Sequence, residues 1–135
     1  VDVVADRPYL DAAYKLVAYA GQDCGKLSPG KVSLPGRKQV FRRHVDGLAV
    51  GDTIARHDER LPGEPLLECV MRDGRRLPAG RVDTAGARAH AAAQLGHLPA
   101  SLRALEPAAP YPVDISPALQ AAQQALKDAH RPAQR

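Results

Sequence analysis

Aromatic side chains are scarce in this 135-residue chain: there is one Phe and no Trp, and aromatics make up 4% of residues. Much of the 44% hydrophobic content is alanine, which buries little area per residue. The core is therefore expected to be thin, relying on neighbouring protein surface for part of its stability. The same scarcity argues against an aromatic platform for stacking nucleobases, because Phe41 is the only aromatic in the most basic segment.

Cysteine is also scarce. Cys24 and Cys69 form no CxxC pair and have no Cys/His spacing that suits zinc. This excludes a zinc finger or a disulfide scaffold and points to a reducing, cytoplasmic setting. No apolar run approaches the length that crosses a bilayer, so no membrane partner is expected. The opening VDVVADRPYL has neither the basic start nor the apolar centre of a secretory signal, and reads as part of something longer. Neither the P-loop nor the dinucleotide glycine spacing occurs. The five histidines are scattered; His90 and His97 could share a helix face, but none has metal-site spacing beside a carboxylate. No convincing acid/base pair is visible among the acids, and Ser101 reads as a helix cap.

What the chain does have is a local concentration of positive charge. The stretch KLSPGKVSLPGRKQVFRR, residues 26–43, carries Lys26, Lys31, Arg37, Lys38, Arg42 and Arg43 and no acid. Those six charges exceed the net +4 of the whole chain, so the remainder is net negative. Localised basicity points to a discrete anion site more than to a surface that coats a polyanion. Phosphate recognition needs fixed cations and backbone that can approach closely. Lys26, Lys31, Arg37 and Lys38 supply the first; Ser28 and Gly36 support the second. The competing reading is a charged hairpin facing water, and composition alone leaves the two open.

The pattern of elements predicts an α+β chain. Ala12–Gly21, Lys38–Val45, the region around Asp52–Arg56 and Gly63–Leu77 read as strands, with turns at Pro35-Gly36 and Asp73-Gly74. Their spacing suggests a small antiparallel set with basic side chains outward. Alanine-rich Thr84–Leu98 reads as a helix with Thr84 as N-cap, and Pro99–Pro107 as a short helix or turn. Pro110–Ile115 is extended, and the last helix starts with Ser116 as N-cap and Pro117 at N1. The expected organisation is 1–13 as an exit from an upstream domain, 14–80 as a strand-rich segment and 81–135 as a helical one.

Six motifs in order carry a family resemblance: YKLVAYAG at 14–21, KLSPGKVSLPGRKQVFR at 26–42, GDTIA at 51–55, GEPLLECVMRDGRRL at 63–77, QLGHLPASLRALE at 94–106 and PYPVDISPAL at 110–119. Together they resemble the C-terminal part of nicotinate phosphoribosyltransferases. That resemblance implies an enzyme joining nicotinate to phosphoribosyl pyrophosphate with ATP hydrolysis and Mg2+, in NAD salvage. It implies an α/β barrel with a flanking domain that this segment completes, and a homodimer in which Lys26, Arg37, Lys38 and, less directly, Lys31 reach phosphates across the interface. The nicotinate-recognition motif, the phosphorylated histidine and the 5′-phosphate loop are not among these motifs, so the isolated chain is expected to be inactive. The alternative is a stand-alone basic module that binds RNA or another polyanion; the enzyme reading expects no nucleic-acid partner.

Overall fold

Asp46 and Gly47 both adopt positive φ, 50° and 77°, and turn the chain back on itself between the two longest strands. This is the two-residue turn whose twist suits a hairpin. The computed structural model describes residues 15–28 and 30–130, and the backbone of two earlier strands, β1 (Val3–Val4) and β2 (Arg7–Pro8), which pair antiparallel. The proposed exit over 1–13 otherwise lies outside the described residues, as do the first residues of the strand expected over Ala12–Gly21.

Next come β3 (Ala18–Tyr19) and β4 (Gln22–Asp23), joined by a turn at Ala20-Gly21, then β5 (Lys38–Val45) and β6 (Leu48–Arg56). β7 (Glu64–Pro65), β8 (Met71–Arg72) and β9 (Arg75–Arg76) are short. They precede α1 (Thr84–Gly96), α2 (Ala100–Arg103), β10 (Val113–Ile115) and α3 (Pro117–Ala129). The main sheet has the order β10-β6-β5-β7. Its antiparallel part is β6-β5-β7, as the strand pattern suggests. β10 adds a parallel edge, with Val113 beside Asp52 and Ile115 beside Ile54.

One side chain extends this sheet where backbone pairing ends. Gln39 donates from Nε2 to the Leu67 carbonyl at 2.9 Å and accepts from the Leu67 N–H at 2.8 Å. It thereby stands in for a strand partner just beyond β7. Between Arg43 and His44 the β5–β6 register slips by a bulge, so Arg43 faces Gly51 and His44 faces Ala49.

α1 begins one residue earlier than expected, with Asp83 as N-cap; its carboxylate accepts from the Gly86 N–H. α3 begins as expected. The Ser116 hydroxyl accepts from the Leu119 N–H at 3.2 Å and donates to Glu59 at 2.7 Å, while Glu59 also accepts from the Arg56 N–H. One carboxylate thus joins the end of β6 to the start of α3. Leu119 is completely buried there, a contribution of about 1.5–3 kcal/mol.

The core is as thin as the composition suggests. Among the described residues, the buried apolar side chains of the core are Phe41, Ala49, Ala55 and Leu119, with Pro35 buried at the turn. Leu16, Tyr19, Leu67, Val82 and Leu105 stay exposed.

Candidate functional site

The basic stretch divides into two parts with different surroundings. Its first half, from Lys26 to Ser33, is a closed loop. The Lys26 N–H donates to the Ser33 hydroxyl at 2.8 Å, the Ser33 N–H to the Lys26 carbonyl at 3.0 Å, and the Lys31 N–H to the Ser28 carbonyl at 3.0 Å. This loop is tied back to the preceding strand through one acceptor. The Val17 carbonyl receives the Cys24 N–H at 2.8 Å and the Gly36 N–H at 2.7 Å. Between them lies a hollow of about 700 Å³, whose wall includes Lys15, Lys26 and Lys31 with Leu16, Val32 and Cys24.

The second half starts at the Pro35-Gly36 turn. Pro35 and Gly36 are buried, and Gly36 takes φ +71°, the second-corner conformation that glycine supplies without strain. A Cβ at Gly36 would stand 2.7 Å from the Asp23 carboxylate. Asp23 itself accepts from Arg56 at 2.6 Å. Lys38 curls back over the turn, donating from Nζ to the Gly36 carbonyl at 2.6 Å and to Pro35 at 3.5 Å. Burial lowers its pKa, and the nearby Asp23 carboxylate partly offsets that. Arg37 is exposed, and its carbonyl accepts from the His57 N–H at 3.1 Å.

The sequence expectations are thus distributed unevenly. Lys26 and Lys31 share a hollow, with Ser28 in the loop that shapes it. Gly36, Arg37 and Lys38 lie at the adjacent turn and do not line it. Lys15 does line it; it lies in the YKLVAYAG motif at 14–21 but outside the charge run that marks the other two. Its nearness to Lys26 and Lys31 comes from the Val17 hydrogen bonds, which are visible only in three dimensions.

Arg42 and Arg43 are engaged elsewhere, and Arg42 corrects the expectation of outward basic side chains on this strand. It pairs with Asp52 across the β5–β6 ladder, Nε to Oδ1 at 2.9 Å and Nη2 to Oδ2 at 2.8 Å. Tyr111 donates to the same carboxylate at 2.9 Å, and the guanidinium carbon sits 6.0 Å from its ring centroid, the outer range for a cation–π contact. The hydrogen bonds from Arg42 hold the Asp52 carboxyl below its usual range, against the opposing effect of burial; Tyr111 reinforces the lowering. The bond to Asp52 pushes Arg42 upward. Burial, then the bond to Asp52, raises the Tyr111 hydroxyl. Arg43 lies 3.6 Å from Asp114 on the exposed edge.

Among the described residues no His, Cys, Asp and Glu side chains gather in a group of three or more able to hold a metal ion. No helix there is long and apolar enough to cross a membrane.

Comparisons with known proteins agree with the motif order. Residues 61–123 match the family model of the nicotinate phosphoribosyltransferase C-terminal domain. The chain is 50% identical over 115 residues to the nicotinate phosphoribosyltransferase pncB2 of Mycobacterium tuberculosis, in two strains. That match covers 84% of this chain and 25% of the relative, so the chain spans about a quarter of the length of the curated relatives it matches. The crystal structure of human nicotinic acid phosphoribosyltransferase superposes with a TM-score of 0.71 at 28% identity, over 85% of this chain and 26% of the human one. The strands and C-terminal helices are therefore consistent with the flanking domain of a phosphoribosyltransferase. Nothing in these matches supports a stand-alone RNA-binding module. The chain belongs to the nicotinate phosphoribosyltransferase family and corresponds to its C-terminal part.

Proposed function

We propose that this chain works as the C-terminal part of an enzyme that forms nicotinate mononucleotide and pyrophosphate from nicotinate and phosphoribosyl pyrophosphate, coupled to ATP hydrolysis in cytoplasmic NAD salvage. Its own contribution is a set of cations for phosphate groups. The observation that carries this reading is the hollow walled by Lys26 and Lys31. Both are exposed, and neither has an ion-pair partner among the described residues. Fixed cations stabilise a pyrophosphate leaving group as negative charge develops on it.

Arg37 is exposed at the neighbouring turn and is free to reach the same phosphates. Lys38 would first have to release the Gly36 carbonyl. Ser28 and Gly36 serve by holding the loop and the turn. The site is completed in a homodimer, with these cations facing the partner subunit's barrel. Mg2+ enters this reading bound to the substrate's phosphates, since the described residues offer it no carboxylate cluster. The reading includes no nucleic-acid and no membrane partner.

The rest of the catalytic machinery lies in the three quarters of the relatives that this chain does not match, so the isolated chain is expected to form no nicotinate mononucleotide. Replacing the matched stretch of the mycobacterial enzyme with this chain tests the reading. The chimera should form nicotinate mononucleotide from nicotinate and phosphoribosyl pyrophosphate. A folded but inactive chimera, or product formed by the isolated chain, contradicts it.

A further inference from the structure

We infer that α3 positions the basic loop: Leu126 occupies the place where a side chain at Gly25 would stand, and this contact holds the neighbouring Lys26 in place. The inference rests on the phosphate reading above and adds to it a positioning pair, Gly25 and Leu126, drawn from opposite ends of the chain.

Gly25 directly precedes Lys26. Its backbone has no positive φ, so local conformation does not require glycine. Space does. A Cβ at Gly25 would stand 2.7 Å from Leu126 Cδ2 and 3.4 Å from the Ser33 carbonyl oxygen. Ser33 is the residue that closes the loop on Lys26 through two hydrogen bonds. Gly25 lines the hollow and Leu126 does not, so the helix bears on the loop from outside that space. A methyl group at Gly25 must displace either Leu126 or Ser33, and either shift moves Lys26. Alanine for glycine at a compatible backbone position ordinarily stabilises a protein by restricting the unfolded chain. The contact with Leu126 reverses that expectation here.

α3 is itself held firmly, which lets it act as a support. Leu126 is half-buried and stands seven residues after Leu119, two turns along the same face, and Leu119 is completely buried. At the helix start, Ser116 holds Glu59, and Glu59 holds the Arg56 N–H. Arg56 in turn reaches Asp23, whose carboxylate lies against Gly36. Both ends of the basic loop are thus tied to one helix by different chemistry. Gly25 meets an apolar contact near the end of α3, and Gly36 meets a chain of polar contacts running back to its start. Fixing both ends reduces the freedom the loop must lose when it takes a ligand.

The test uses the chimera described above, carrying Gly25→Ala, Leu126→Ala or both. Hydrogen exchange over residues 24–36, read by mass spectrometry, reports the loop without any ligand. Leu126→Ala should speed exchange there about tenfold. Steady-state kinetics report what the loop is used for. Gly25→Ala should raise the KM for phosphoribosyl pyrophosphate about tenfold, with the KM for nicotinate and the melting temperature little changed. In the Leu126→Ala background the same change should cost no more than about twofold, because the added methyl enters the space the leucine leaves. Gln124→Ala, at an exposed position of α3, should alter neither readout.

An equal cost of Gly25→Ala in both backgrounds overturns the pairing of Gly25 with Leu126. Unaltered loop exchange in Leu126→Ala overturns the support by α3. Both KM values rising together with a lower melting temperature overturns positioning in favour of plain stability. Loop exchange that responds as stated, with the KM for phosphoribosyl pyrophosphate unmoved in every variant, overturns the phosphate reading and leaves the clamp by α3 standing.

Discussion

Arg42 and Asp52 meet across the central hairpin as a two-bond fork, with both bonds under 3 Å and Tyr111 closing on the same carboxylate. The fork locks β5 to β6 and brings in the segment before β10. It makes Arg42 a structural residue inside a stretch where Lys26, Lys31, Arg37 and Arg43 are exposed.

Asp52 carries the clearest pH signature. Its carboxyl is held below the ordinary value, first by the Arg42 hydrogen bonds. Such a group stabilises the fold fully above its unfolded pKa of about 3.9, and that contribution is lost as pH falls through the lower folded value. Asp52→Asn should cost about 2 kcal/mol in urea denaturation at pH 7, with the gap narrowing near pH 2. An equal loss at both pH values would show that the pairing is not what Asp52 contributes.

Ser116 caps α3 and holds Glu59, which in turn holds the Arg56 N–H. Ser116→Ala removes the cap and leaves the half-buried Glu59 carboxylate short of one donor. Thermal unfolding should show a loss of about 1–2 kcal/mol. Ser116→Asp restores a capping oxygen but sets a second carboxylate against Glu59, so it should not rescue the loss.

Lys38 separates a positioning role from a binding one. Its ammonium holds the Gly36 carbonyl in the free chain. Lys38→Ala should lower the melting temperature, by an amount equivalent to about 1 kcal/mol. In the active chimera, an unchanged KM for phosphoribosyl pyrophosphate would assign Lys38 to the turn alone. A raised KM would place it among the phosphate contacts.

Gly36 makes the turn intolerant of a side chain. With φ at +71° and the Asp23 carboxylate 2.7 Å from a built Cβ, Gly36→Ala should disturb both the turn and the Asp23–Arg56 pair. A cost of about 1–3 kcal/mol is expected, read as a lower urea midpoint.

Local chemistry made several features legible before any coordinates. Lys38–Val45 alternates in the manner of a strand, Asp73-Gly74 marks a hairpin, and Ser116-Pro117 marks a helix start; each signal lies within a few residues. β6 is longer than the sequence suggests because pairing with β5 recruits Leu48–Gly51, a glycine-bounded run with weak strand character of its own. The parallel edge of β10 is set by partners some sixty residues away, such as Val113 with Asp52, and local periodicity carries no trace of it. The same holds for the site. Lys26 and Lys31 stand out because they sit in a charge run. Lys15 lies outside that run and joins them only through the bonds to Val17. Arg42 looks like one more surface cation until Asp52 is seen opposite it.

The central claim, that this segment supplies phosphate-binding cations to the enzyme, is tested most directly by the KM for phosphoribosyl pyrophosphate in the chimera carrying Lys26→Ala and Lys31→Ala together. The account expects that KM to rise by about tenfold or more, with the KM for nicotinate and the melting temperature little changed. Unaltered kinetics toward phosphoribosyl pyrophosphate in that folded double variant would contradict it.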